Sequence, residues 1–288
     1  MSNSLYLKTI EGINRVKRVA TKKYSSVLGT IKGNKITAYW WNGETNFGDL
    51  ITPELLKFYG FTPVHASASS CEVLSTGSIL QFSSINYKGH ILGSGLIKDL
   101  EFPMPEANVL AVRGSLTRDR IKASSDVPLG DPGLLAPKLL RGERAKKKYI
   151  LGVIPHYVDA NDRRITQLTN RYPSEVKLIS VKRKPEDVFK DIDECEYILS
   201  SSLHGIISAD ALGIPNIWMS LSDKVVGGGF KFRDYGTAID AEPQPYLLAG
   251  DEALDQLLKT ARIPTAKVKE AQEKLNNVFL SLKSDKSP

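Results

Sequence analysis

Cysteine is scarce in this chain: Cys71 and Cys195 are the only two in 288 residues. They lie too far apart for a thiolate metal knuckle and are too few for a disulfide framework, so both read as reduced structural thiols. Long apolar runs are also missing. None approaches the ~18 to 20 residues of a membrane span, and residues 1–24 lack the apolar stretch and cleavage site of a secretory leader. The expected location is the cytoplasm. No G-x-S-x-G elbow occurs with triad partners in order, which disfavours a serine hydrolase of that type. There is no Walker loop, no metal-ligand cluster and no complete G-x-G-x-x-G turn, so neither a metal nor a dinucleotide cofactor is expected.

What is present is an ordinary soluble composition, 41% hydrophobic and 25% charged, sufficient for a large core. The net charge of +7 is unevenly spread. Lys8, Arg15, Lys17, Arg18, Lys22 and Lys23 face only Glu11 in the first 24 residues, while Tyr6, Ile10, Ile13 and Val16 recur at helical spacing. Such a basic amphipathic helix either packs on the protein or rests on an anionic membrane surface. On the second account, deleting residues 1–24 reduces recovery with membranes, and unchanged partitioning would exclude it. Nucleic acid is disfavoured, because the basic residues are not interleaved with aromatic stacking platforms.

From Lys35 onward, short apolar runs alternate with Gly/Ser/Asp punctuation and helix-like stretches, the signature of parallel strands with crossover helices. Expected strands are 36–41, 72–76, 90–92 and 109–112, then 149–154, 176–180, 197–201 and 216–219. The polar run 141–148 separates the two series. The fold class is therefore α/β, with two Rossmann-like lobes facing a cleft in a GT-B-like arrangement. The expected divisions are a basic N-terminal segment 1–34, lobes 35–140 and 147–236, and a helical segment 237–288. Val268, Ala271, Leu275, Val278 and Phe279 share a face of the last helix.

Ligands of open α/β sheets bind beyond the carboxyl ends of strands, so the polar residues there are the candidates. After the first strand, Asn46, Gly48 and Asp49 enter a helix start whose amides either hold an anion or belong to an ordinary strand-to-helix turn capped by Asp49, with Pro53 tolerable only near the first turn. Gly93-Ser94-Gly95 is a backbone-exposing turn. Arg113 ends a strand, where a guanidinium can grip a carboxylate or phosphate, and Ser115 is placed to cap the next helix. Asp131 sits in a Gly-Asp-Pro turn whose role is structural or functional. In Ser200-Ser201-Ser202-Leu203-His204-Gly205, His204 falls at a helix N-terminus suited to proton transfer, and His156 has a similar strand-end address. Gly227 to Gly229, with Lys231 and Arg233, reads as a flexible loop that closes over an anion.

Asn46-Phe47-Gly48-Asp49, Arg113-Gly114-Ser115, Gly130-Asp131-Pro132 and Leu203-His204-Gly205 followed by Ala211-Leu212-Gly213-Ile214-Pro215 resemble, in order and spacing, the polysaccharide pyruvyl transferase family. The resemblance covers residues 36–236. It implies phosphoenolpyruvate as donor and a hexose in a lipid-linked (polyprenyl) bacterial surface polysaccharide precursor as acceptor, giving a pyruvate ketal. It places His204, the histidine of the family's Arg-Leu-His motif, at the catalytic site, to which the strand-end position of Arg113 adds that arginine as a second catalytic candidate. Donor binding falls to Asn46, Gly48, Asp49, Gly93, Ser94, Gly95, Ser202 and Leu203, with His156 and Asp131 as further candidates. The arginine of the family's Arg-Leu-His motif maps onto Ser202, so Arg113 and a cation from Lys224, Lys231 or Arg233 must supply the missing charge. The alternatives are a GT-B-type sugar-nucleotide glycosyltransferase and a non-catalytic carbohydrate-binding relative.

Overall fold

Alternation in Lys-Ile-Thr-Ala-Tyr sends Ile36 and Ala38 into the core and makes residues Lys35–Tyr39 the strand β1. The computed structural model describes residues 34–140, 142–222 and 225–284; the basic segment 1–24 and Lys224 lie outside them. β1 pairs in parallel with β2 (Thr62–His65) and β3 (Val73–Leu74), and β4 (His90–Leu92) and β5 (Asn108–Ala111) extend the sheet. A second parallel sheet contains β6 (Tyr149–Ile154), β7 (Val176–Leu178), β8 (Cys195–Ser200), β9 (Asn216–Ser220) and β10 (Tyr246–Leu247). The first sheet runs β2-β1-β3-β4-β5 and the second β7-β6-β8-β9-β10. Each lobe thus has the doubly wound order 2-1-3-4-5, whose winding reverses between its first and third strands. The expected pair of α/β lobes is what the chain forms.

The helices are α1 (Phe47–Phe58), α2 (Ser115–Arg120), α3 (Arg163–Arg171), α4 (Pro185–Asp193), α5 (Leu203–Ala211), α6 (Phe230–Ala238), α7 (Leu254–Leu258) and α8 (Lys267–Ser284). One continuous core includes Ile36, Leu55 and Leu92 of the first lobe with Ile154, Phe189 and Ile207 of the second. The lobes also meet through the backbone, where Phe47 N–H donates to the Val181 carbonyl at 2.8 Å.

Val268, Ala271, Leu275 and Phe279 are buried on one face of α8, as the spacing predicts, while Val278 is partly buried. That face returns to the first lobe. Phe279 stacks on Tyr59 at 4.9 Å, and Tyr59 Oη donates to Asn276. Gln272 donates to the carbonyls of Leu134 and Ala211, so α8 touches both lobes.

Several local expectations are corrected. Asn46, not Asp49, caps α1, accepting from Gly48 N–H at 3.2 Å, which leaves Asp49 in the first turn. Pro53 lies inside α1 rather than near its start, and its missing N–H leaves the Asp49 carbonyl without the usual intrahelical donor. Gly114 caps α2, while Ser115 is its first residue and donates its N–H to Thr237. The turn at Asp131 opens a 3-10 helix, Pro132–Leu139. Lys231 and Arg233 sit on α6, not in a loop, because the helix begins at the residue after the three glycines.

Candidate functional site

Both winding reversals point at the same space. The residues after β1 and β3 in one lobe and after β6 and β8 in the other enclose a cleft of about 470 Å³. It brings together Asn46, Asp49, His156, Ser202, Leu203, His204 and Lys231 from the sequence-derived set, with Ser78 added from the turn after β3.

His204 is the second residue of α5, 7% exposed. Its position depends on Gly48: a Cβ there would lie 2.1 Å from Nδ1, so the ring occupies the space a side chain would need. Nε2 is buried with no hydrogen-bond partner, and Asp131 Oδ2 lies 3.9 Å away. Asp131 is held by Gly133 N–H at 2.8 Å and by a long contact from Gly77 N–H at 3.4 Å. Burial, reinforced by Lys231, Arg113 and His156, pushes the His204 pKa down to about 3, so the ring is neutral at pH 7. His156 is pushed down to about 4, by burial and then Lys231.

Asp49 stands close by. A Cβ on Gly77, which has φ +103°, would be 3.7 Å from His204 Cε1 and 3.8 Å from Asp49 Oδ1, so that glycine keeps one point open between them. Burial raises the Asp49 pKa to about 7, against the lowering effects of Asn46 and Lys231. Lys231, 8% exposed, is lowered to about 8 by burial and by Arg113. The cleft floor thus holds a neutral imidazole, a carboxyl near its midpoint and a poorly solvated ammonium. The first amides of α5 have no intrahelical acceptor, which adds partial positive charge beside His204.

The remaining predicted residues lie elsewhere. Arg113 is fully buried behind the cleft: Nε donates to Asp234 Oδ2 at 2.8 Å, Nη2 to the Leu96 carbonyl at 2.7 Å and Nη1 to Ser78 Oγ at 2.5 Å. Its guanidinium lies against Gly95, where a Cβ would be 2.4 Å from Cζ. Gly93 packs under Pro132 with φ +84°, and buried Ser94 donates to the Gly77 carbonyl at 2.9 Å. Gly93, Ser94 and Gly95 therefore form the wall that holds Gly77, Ser78 and Arg113. Arg233 is exposed and faces a separate cavity of about 350 Å³ beside Trp218 and Ser222. Of the cations proposed to replace the missing arginine, Lys231 is the described one that lines the His204 cleft.

Sequence reasoning missed Ser78, although Ser75-Thr76-Gly77-Ser78 after β3 carries the same small polar signal that singled out the other strand ends. It also missed the cleft mouth: Trp41, Phe82, Ile97, Lys98, Tyr157, Val158 and Val226. Trp41 was assigned to a strand that ends at Tyr39.

Residues 84–223 match the model of the family described as polysaccharide pyruvyl transferase. The uncharacterized protein L143 of Acanthamoeba polyphaga mimivirus is 33% identical over 189 residues, covering 62% of this chain and 66% of that protein. The succinoglycan biosynthesis protein ExoV of Rhizobium meliloti (strain 1021) is 26% identical over 234 residues, covering 78% of this chain and 71% of its own. The chain thus spans about two thirds of the length of these curated relatives. Among solved structures, the UDP-GlcNAc 2-epimerase of Methanocaldococcus jannaschii, in complex with UDP-GlcNAc and UDP, aligns with a TM-score of 0.37 and 11% identity over 90% of this chain and 79% of that one.

Proposed function

On the premise that the chain belongs to the polysaccharide pyruvyl transferase family, we propose that it moves the pyruvyl group of phosphoenolpyruvate onto two hydroxyls of a hexose in a surface polysaccharide precursor. The products are a cyclic pyruvate ketal and phosphate. The observation that carries this reading is the neutral, buried His204 beside a protonatable Asp49 and Lys231 in one cleft.

The chemistry uses these groups in order. The donor carboxylate and phosphate are anions, and Lys231 with the amide end of α5 supplies fixed positive charge for them. Asp49, with its pKa near 7, carries a proton for the donor methylene; protonation there makes the adjacent enol carbon electrophilic. A sugar hydroxyl forms a C–O bond to that carbon while its proton passes to His204. Bound donor anions stabilise the resulting imidazolium, offsetting the burial that keeps the free ring neutral. The carbon–phosphate oxygen bond then breaks, phosphate leaves carrying the proton held by His204, and the second hydroxyl closes the ring as its proton passes to the Asp49 carboxylate, which restores both groups. The acceptor is proposed to be polyprenyl-linked, with the basic segment 1–24 giving peripheral membrane contact. No helix among the described residues is long and apolar enough to cross a membrane.

The test is donor binding followed by thermal unfolding. Phosphoenolpyruvate should raise Tm by several degrees, as any ligand bound by the native state alone does. Lys231→Met should remove that shift, and Arg233→Ala should leave it intact. Stabilisation by UDP-sugars with none by phosphoenolpyruvate would replace this reading with sugar-nucleotide glycosyl transfer.

A further inference from the structure

The cleft has two unlike ends. His204, Asp49 and Lys231 make its floor polar, whereas its mouth exposes large apolar side chains from both lobes: Trp41 and Phe82 from one, Val158 and Val226 from the other. A small trianionic donor has no use for such a rim. Trp41 and Phe82 are 38% and 45% exposed, yet they are not loosely placed. Their rings stack at 5.6 Å with 25° between planes, and Tyr39 abuts Phe82 at 6.1 Å. Gly43 lets the backbone lie against the indole, where a Cβ would come within 2.6 Å of a ring carbon. The result is an ordered aromatic shelf left open to water at the entrance to the proton-transfer groups.

We propose that the Trp41–Phe82 shelf is the acceptor subsite and that it holds a neutral pyranose ring by one C–H face. This rests on the pyruvyl-transfer reading, and it follows from what that reaction demands. Both hydroxyls that join the ketal belong to one ring and must meet a single carbon in turn, so the ring must be held flat while one edge faces His204. An aromatic surface does this: it buries the apolar face of the ring and leaves the hydroxyl rim free. The polar groups of that rim have neighbours in Asn46, Ser78 and Lys98, which line the same cleft. The shelf is continuous with the floor, so a ring seated on it lies alongside the donor.

The test uses saturation-transfer NMR on the full chain with methyl β-D-glucopyranoside, methyl β-D-galactopyranoside and methyl α-D-mannopyranoside, and with uridine as a planar competitor. At least one glycoside should receive saturation at its ring C–H protons. In Trp41→Ala and in Phe82→Ala the effect should fall about fivefold, while the thermal shift given by phosphoenolpyruvate stays at its wild-type size and reports that each variant is folded. Saturation unchanged in both variants, or absent for all three glycosides, overturns the proposal. Trp41-dependent saturation of uridine also overturns it, in favour of a nucleobase platform. If phosphoenolpyruvate fails to stabilise the wild type, the pyruvyl-transfer reading falls separately, and the glycoside result still reports on the shelf.

Discussion

Under the proposed reaction, replacing His204 by glutamine should lower pyruvyl transfer by about 10² to 10⁴-fold, the range a positioned proton-transfer group contributes, while leaving the protein folded. Gly48→Ala should cost nearly as much without touching a titratable group, because its Cβ would overlap the space of Nδ1 and displace the ring. Steady-state rates with saturating phosphoenolpyruvate provide the measurement. A His204→Gln variant that keeps wild-type turnover would remove the histidine from the mechanism.

The same variant carries a second signature. The folded-state pKa of His204 lies at about 3, below its ordinary 6.5, so the unfolded chain binds this proton first as pH falls. Stability from the neutral ring is complete above pH 6.5 and is lost progressively between 6.5 and about 3. His156, lowered to about 4, acts in the same direction, while Asp49 and Asp131, raised to about 7 and about 6, act in the opposite one over much of that window, so the wild-type slope is the difference between the histidine and aspartate contributions. In His204→Gln the His204 contribution is gone, while that of His156 remains. Tm should therefore fall less on acidification from pH 6.5 to 4.5 than it does in the wild type.

The second large effect concerns Arg113. Arg113→Ala should destabilise the fold by ~3–5 kcal/mol, because it leaves the Asp234 carboxylate buried at 0% exposure without its counter-ion. For a chain of this size that is a fall in Tm of about 10 °C. Asp234 also accepts from Thr117 N–H and Thr117 Oγ1, so the lost cation disturbs a network joining α6 to α2. Arg113→Lys should rescue little, since one ammonium cannot reach Asp234, Leu96 and Ser78 in the directions the guanidinium fork does. Differential scanning calorimetry with and without phosphoenolpyruvate separates the two possible roles. A variant with unchanged Tm that no longer responds to phosphoenolpyruvate would make Arg113 a direct anion ligand, as its strand-end position first suggested.

Much of the architecture was legible because buried parallel strands advertise themselves as short apolar runs. β4 and β6 fall on their expected residues, and the others within a few positions. The strands that escaped, β2 and β10, are one edge strand of each sheet. Pro63 lies inside β2 and argues against a strand, yet an edge tolerates a residue without an N–H. β10 is two residues long and follows Pro243 and Pro245, and only its neighbour β9 makes it a strand. At the site, residues adjacent to strand ends were readable. Arg113 has the strand-end address of ligand-binding arginines, but its sequence neighbourhood does not show that Asp234, 121 positions later, together with Leu96 and Ser78, holds its guanidinium inward. Lys231 and Arg233 looked equivalent in sequence; helical geometry sends one into the His204 cleft and the other to a different cavity.

The return of α8 to the first lobe has a consequence for how the chain is made. Tyr59 finds Phe279 and Asn276, and Gly130 finds Leu275, only after the last helix has left the ribosome. The first lobe is therefore translated long before its outer face can be covered. At about 5–20 residues per second, the interval between Leu139 and Lys267 is on the order of 10 s. Through that interval the nascent lobe presents an uncovered apolar face. Premature termination between β10 and α8 would leave both sheets complete in sequence but the face that α8 covers exposed to aggregation and proteolysis.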